Sequence, residues 1–86
     1  MRKEQVFVII GALWKDKTNG NTYHVTKIIN ATTGNVYYTP YTYGYDGQYR
    51  QSGAEYINKE LKLKNFRMID GGSFYINKKY LKKCWF

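Results

Sequence analysis

Few side chains in this sequence could do acid–base, nucleophilic or metal chemistry: one histidine, one cysteine and six carboxylates among 86 residues. His24 stands between Tyr23 and Val25 with no cysteine or second histidine at ligand spacing. A structural zinc site needs about four ligands, and the chain supplies no such set, so His24 reads as a hydrogen-bonded structural residue. Cys84 would be a nucleophile only with a base beside it; here it falls on an apolar helix arc and reads as packing. Asp16, Asp46 and Asp70 lie in turn or capping positions, and Glu55 on an exposed helix position. No paired carboxylates, Ser–His pair or glycine-rich phosphate loop is legible. The expectation is therefore a non-enzymatic protein without metal or cofactor.

What the sequence does carry is aromatic surface and positive charge. Six tyrosines fall between Asn35 and Gln51, in NVYYTPYTYGYDGQYRQ. Tyrosine joins a flat apolar body to a polar tip, which suits contact with a wet partner. Bases of single-stranded nucleic acid stack on such rings, and Tyr38, Tyr41, Tyr43 and Tyr45, near Arg50, fit that use. Rings at Tyr41–Tyr45 follow Pro40 and border Gly44, so they are expected on an exposed turn. The net charge is +8. Residues 58–86 hold eight basic and two acidic side chains, a net of +6, so the C-terminal third dominates any attraction for phosphate or an acidic partner. Lys78, Lys79, Lys82 and Lys83 line one arc of a short helix, and Arg67 extends the basic set.

The elements that must position these residues are short. A chain of 86 residues makes a single domain, 1–86, that buries only about 60–65 % of the surface its unfolded form exposes. Ten tyrosines, four phenylalanines and two tryptophans can supply its core. Gln5 to Trp14 is apolar on both faces and rich in β-branched residues, which predicts a strand buried on both sides. Asn19-Gly20 predicts a turn, and Thr22 to Ile29 a second strand with Tyr23, Val25 and Ile29 on one face. Asn30 to Gly34 is a loop, and Asn35 to Thr42 a third strand, at an edge or bulged near Pro40. Asp46 can cap a helix on which Tyr49, Gly53, Tyr56, Ile57 and Leu61 share a face; Gly53 there implies close packing on the sheet. Phe66–Ile69 and Ser73–Ile76 around Asp70-Gly71-Gly72 predict a hairpin, and Asn77 caps a final helix whose apolar arc holds Tyr80, Leu81, Cys84 and Trp85. The fold class is α+β: a three-stranded antiparallel meander packed by one helix, then a short hairpin and a short C-terminal helix.

A lone cysteine gives no intrachain disulfide, which favours a reducing cytoplasm. The opening MRKEQVFVIIGALW mimics a signal peptide poorly, because Glu4 interrupts the basic region and no small-x-small site follows. The apolar run is too short to span a bilayer, so no membrane role is expected.

Asn21-Thr22-Tyr23-His24-Val25, then Tyr43-Gly44-Tyr45, then Gln48-Tyr49 and Gln51 with Ala54, resembles a pattern in small uncharacterised proteins of tailed bacteriophages. Those carry an NTYH-type strand before a YGYG-x-x-Y-x-Q-type turn and helix. The resemblance covers roughly residues 14–57; Asp46 follows the second tyrosine where the pattern has glycine. It implies a phage or prophage origin and an accessory role in the bacterial host cytoplasm, and assigns no functional residue. Gly71 to Asn77 also resembles the wing of an excisionase-type DNA-binding domain, without the helix-turn-helix that precedes such a wing. The leading expectation is a protein that binds nucleic acid or a nucleoprotein complex through Tyr41, Tyr43, Tyr45, Arg50, Arg67, Lys78, Lys79, Lys82 and Lys83. The alternatives are an inhibitor of host machinery, such as an anti-CRISPR-type antagonist of a defence nuclease, and a minor virion or assembly protein that pairs as a homodimer through edge strand 35–42.

Overall fold

A computed structural model of the chain describes residues 5–44 and 47–83. The first predicted strand forms β1 (Gln5–Asp16), and the second forms β2 (Asn21–Asn30). The two pair antiparallel through ten consecutive partners, from Phe7↔Asn30 to Asp16↔Asn21. Asp16 closes the turn between them: its carboxylate accepts from the Thr18 and Asn19 amides and from the Asn19 side chain.

The third predicted strand is broken in two, β3 (Val36–Tyr38) and β4 (Thr42–Tyr43), and both pieces pair with β2. Pairing runs from Lys27↔Tyr38 to His24↔Thr42, so this edge holds one residue more than β2 does. The surplus falls at Pro40, which has no N–H for the ladder. Thr39 bridges the gap: its N–H donates to the Thr26 carbonyl at 3.0 Å and its hydroxyl accepts from the Thr26 amide at 2.8 Å. The edge through which two copies would pair is thereby cut to segments of three and two residues.

The expected hairpin at 66–76 does not form. Phe66–Tyr75 is one strand, β5, that pairs parallel to the other edge of β1. The sheet is therefore mixed, in the order β3-β2-β1-β5, and not a meander followed by a separate ribbon. The double glycine absorbs a bulge and not a reversal: Ile9 pairs with Asp70, Gly11 with Ser73, and Gly72 takes φ +96°. A strand apolar on both faces leaves its second edge unsatisfied unless another strand lies along it, and β5 does so over its whole length. The wing-like reading of 71–77 falls with the hairpin.

Helix α1 (Gln48–Lys59) covers one face of the sheet. Its N-cap is Gly47, with no side-chain cap, so the cap expected from Asp46 is displaced by one residue; Asp46 itself lies outside the described residues. Tyr49, Gly53 and Ile57 are buried against Phe7, Ile9 and Ile28, while Tyr37, Tyr56, Leu61, Leu63, Phe66 and Met68 close the rim. Two glycines let the layers meet. A Cβ on Gly11 would lie 2.4 Å from Cγ of Tyr49, so the ring rests on bare backbone; a Cβ on Gly53 would meet Ile9 and Thr26 methyls at 3.2 Å.

The opposite face is covered only in part. Helix α2 (Lys78–Lys82) is capped by Asn77, whose side chain accepts from the Lys79 amide at 3.1 Å. Its Leu81 is fully buried against Ala12 and Val25, with Trp14, Tyr38, Tyr41 and Ile76 around them. Tyr80, expected on the apolar arc, is 36 % exposed; Cys84 and Trp85 lie outside the described residues. Beyond the reach of α2, Val36 and Ile69 stay 45 % and 49 % exposed.

Gly11→Ala is expected to destabilise by about 1–3 kcal/mol, because the added methyl displaces the Tyr49 ring. Gly53→Ala should cost less, since its neighbours are methyl groups and a helical alanine returns about 1 kcal/mol of propensity. Ile57→Ala should cost about 2–5 kcal/mol. Urea titrations of the three variants give the ranking, and a Gly11→Ala midpoint equal to that of the native chain would refute the seat of Tyr49.

Candidate nucleic-acid interface

Four aromatic rings converge on the α2 side of the sheet. Residues directly opposite each other in the antiparallel ladders share a face. The register Trp14↔Tyr23 and Tyr23↔Tyr43 therefore sets three rings in a row across β1, β2 and β4. Tyr41 enters from the Pro40 bulge and lies on Tyr23 with centroids 5.1 Å apart and planes 8° from parallel. Trp14 stacks on Tyr23 at 5.8 Å and 28°. Tyr43 meets Tyr23 edge-on at 5.7 Å and 76°, and is 48 % exposed. The result is a stacked column, Trp14–Tyr23–Tyr41, with Tyr43 as a side wall.

Helix α2 brings two ammonium groups to this column. The Ile76 amide donates to the Leu13 carbonyl at 2.8 Å and ties the helix entry to β1. Buried Leu81 then fixes the rotation of α2. Lys78 and Lys82, four residues apart and so on one side of the helix, reach the two ends of the column. The Lys78 ammonium lies 4.9 Å from the Trp14 ring centroid and that of Lys82 lies 5.1 Å from Tyr41. Both are cation–π distances. Lys79 lies over Tyr80 at 5.0 Å, and Lys83 is exposed at the helix end. Burial, with the neighbouring Tyr23 and Asp16 oxygens, raises the Tyr41 hydroxyl above its ordinary value of 10.0, so it stays neutral. The Asp16 carboxylate is held below its ordinary value, first by the Asn19 side chain and, more weakly, by Lys78.

Of the residues expected at the interface, Tyr41, Tyr43, Lys78 and Lys82 are brought together, with Lys79 on the same helix and Lys83 at its C-cap. Tyr45 lies outside the described residues. Arg50 is elsewhere: it pairs with Asp70 on the α1 side and stands over Tyr49. Arg67 lies beside Val6, eight residues along β1 from Trp14, or about 26 Å at 3.3 Å per residue. Tyr41 is not an exposed turn ring but a half-buried one, stacked on Tyr23. Trp14 and Tyr23 were missed as site residues, and the signal that could have found them is the register of the first hairpin.

The sequence showed no Ser–His pair, yet His24 Nε2 lies 2.7 Å from Ser52 Oγ on α1. His24 is fully buried and its Nδ1 has no hydrogen-bond partner among the described residues. An orphaned N–H is rarer inside proteins than an orphaned acceptor, so the proton belongs on Nε2, which donates to Ser52. Ser52 also lines a groove of about 190 Å³ between α1 and the β3–β4 bulge, with Thr39, Pro40, Thr42, Glu55, Tyr56, Lys59 and Glu60. Its two carboxylates give it the wrong sign for phosphate. Among the described residues no group of three His, Cys, Asp or Glu side chains could hold a metal ion, and no helix is long and apolar enough to cross a membrane. No family model, curated protein or solved structure matches the chain.

Burial holds the His24 imidazole below its ordinary value of 6.5. The unfolded chain then binds the proton first, so the stability that neutral His24 contributes is present above about pH 6.5 and is lost as the pH falls below it. The loss should reach at most about 1.4 kcal/mol per pH unit. The carboxylates of Asp16 and Asp70, whose values are lowered, lose their contribution only in more acid solution, which separates the two effects. Thermal melts at about pH 7.5, 6 and 5 test this; a constant Tm across that range would show that His24 is not buried neutral.

Proposed function

We propose that this chain is a small, non-enzymatic phage accessory protein, acting in the bacterial host cytoplasm, that binds nucleic acid or a nucleoprotein complex. The carrying observation is the convergence of an aromatic column from two strands and a bulge, walled by Tyr43 of β4, with the lysines of α2, on one face of a chain of net charge +8. Lys78, Lys79, Lys82 and Lys83 contact phosphates, and displaced counterions supply much of the affinity. Tyr41 and Tyr43 meet the bases or sugars between those phosphates. Arg50 is committed to Asp70 at 2.6 Å and serves the fold in this reading. The His24–Ser52 pair supports binding over chemistry, because among the described residues no third group orients the imidazole through Nδ1.

A protein target, such as a host defence nuclease, is the second reading. Tyr43 favours it: a tyrosine 48 % exposed beside a cationic helix is the kind of anchor that protein interfaces use.

Changing Lys78, Lys79, Lys82 and Lys83 together to glutamine should leave the chain folded but lower its melting temperature by several degrees, since all four are exposed and three give up a cation–π contact. Affinity for nucleic acid should fall, and the log–log salt slope should flatten by about 0.7 for each lysine that meets a single-strand phosphate. Fluorescence anisotropy with labelled oligonucleotides at two salt concentrations reads both. Unchanged affinity and slope would remove α2 as the phosphate contact.

A further inference from the structure

We infer that the partner of this face is the unpaired strand, and that Tyr41 and Lys82 act as an exchange pair in which an incoming base replaces the ammonium over the ring. This rests on the nucleic-acid reading above and narrows it. Tyr23 is the middle ring of the column, with Trp14 and Tyr41 stacked on it, so its faces are taken by protein. The terminal rings are different: each carries a lysine ammonium within about 5 Å of its centroid. A ring face that accepts a hydrated ammonium on a flexible four-carbon stem is a face that a flat base can reach once the stem swings aside. The displaced ammonium then stands one side-chain length from the stacked base, where the phosphate of the same nucleotide lies. Stacking and charge neutralisation are thereby gained in one movement. The pitch of α2 sets Lys78 at Trp14 and Lys82 at Tyr41, so two nucleotides are read at the two ends of one column.

Duplex is disfavoured by the same geometry. In a duplex each base face is covered by its neighbour, and a ring can stack on it only after a step is opened, at a cost of a few kcal/mol. The column projects no wedge to open one, because its rings lie against each other. Two ammonium groups at the column, with Lys79 and Lys83 beside them, are few charges to offset that cost.

The test measures binding of the full chain to a labelled oligothymidylate of about ten nucleotides and to a duplex of about twenty base pairs, at low salt. The single strand should bind about ten-fold tighter or more. Tyr41→Phe should retain this preference, Tyr41→Leu should lose about ten-fold on the single strand only, and Lys82→Gln should lose less affinity and flatten the salt slope. A thermal melt of each variant separates loss of the site from loss of the fold, and Tyr41→Phe keeps the test open if Tyr41→Leu is unstable. Equal binding of both forms, with Tyr41→Leu inert, would overturn the exchange pair and leave the nucleic-acid reading standing. Absence of binding to either would overturn both and turn attention to a protein target.

Discussion

The seat of Tyr49 is the constraint on which the rest of the structure depends. Its ring rests on Gly11 of β1, its carbonyl accepts from the Thr26 hydroxyl of β2 at 2.8 Å, and its own hydroxyl donates to Asp70 of β5 at 2.7 Å. One residue thus ties α1 to three strands. Asp70 receives that bond, the Arg50 guanidinium and the Gly72 amide, so it also holds the bulge that lets β5 follow β1. The Tyr49 hydroxyl is pushed above its ordinary value, first by burial, and the Asp70 carboxylate is held below its own, first by that hydroxyl. Both shifts favour a neutral donor on a charged acceptor, the stronger form of hydrogen bond. An enlarged residue at position 11 would lift α1, and with it the parallel register at the far side of the sheet.

This arrangement divides the labour of the two sheet faces. The face under α1 carries the larger apolar cluster and a hydrogen-bonded buried set, Thr26, Thr39 and His24. The other face is served by a five-residue helix held by Leu81. So short a helix is not stable alone; its asparagine cap and one buried leucine are what keep its lysines in place. The aromatic column is therefore built on rigid strands, while the charge beside it comes from a lightly held element, as the proposed exchange between ring and phosphate would need.

Much of the fold was legible because local signals sufficed. The two-sided apolar run, Asn19-Gly20, the helical spacing of Tyr49, Gly53 and Ile57, and the Asn77 cap each act over a few residues. The parallel strand was not legible. Asp70-Gly71-Gly72 offers the same residues to a hairpin turn and to a bulge, and what decides between them is the unsatisfied edge of β1, some sixty residues earlier in the chain. The site was half legible for a similar reason. Tyr41 and Tyr43 announce themselves by density of tyrosine, whereas Trp14 and Tyr23 become neighbours only through strand register. His24 and Ser52, 28 residues apart, meet only because α1 crosses β2.

The parallel pairing of β1 with β5 also orders events in time. The β1–β2 hairpin closes a short turn and can form within microseconds. The second edge of β1 must wait for a strand that follows α1, and closing so long a loop is an entropic toll paid before any contact repays it. Until then the edge of β1 over residues 5–13, with the apolar run Val6–Ile10 within it, offers open hydrogen-bonding groups to any passing strand. Helix α2 follows β5 in the chain, so its lysines reach the aromatic column only once β5 has been made and can seal that edge. A nascent or partly unfolded copy is thus sticky toward its own kind before the face under α2 is assembled.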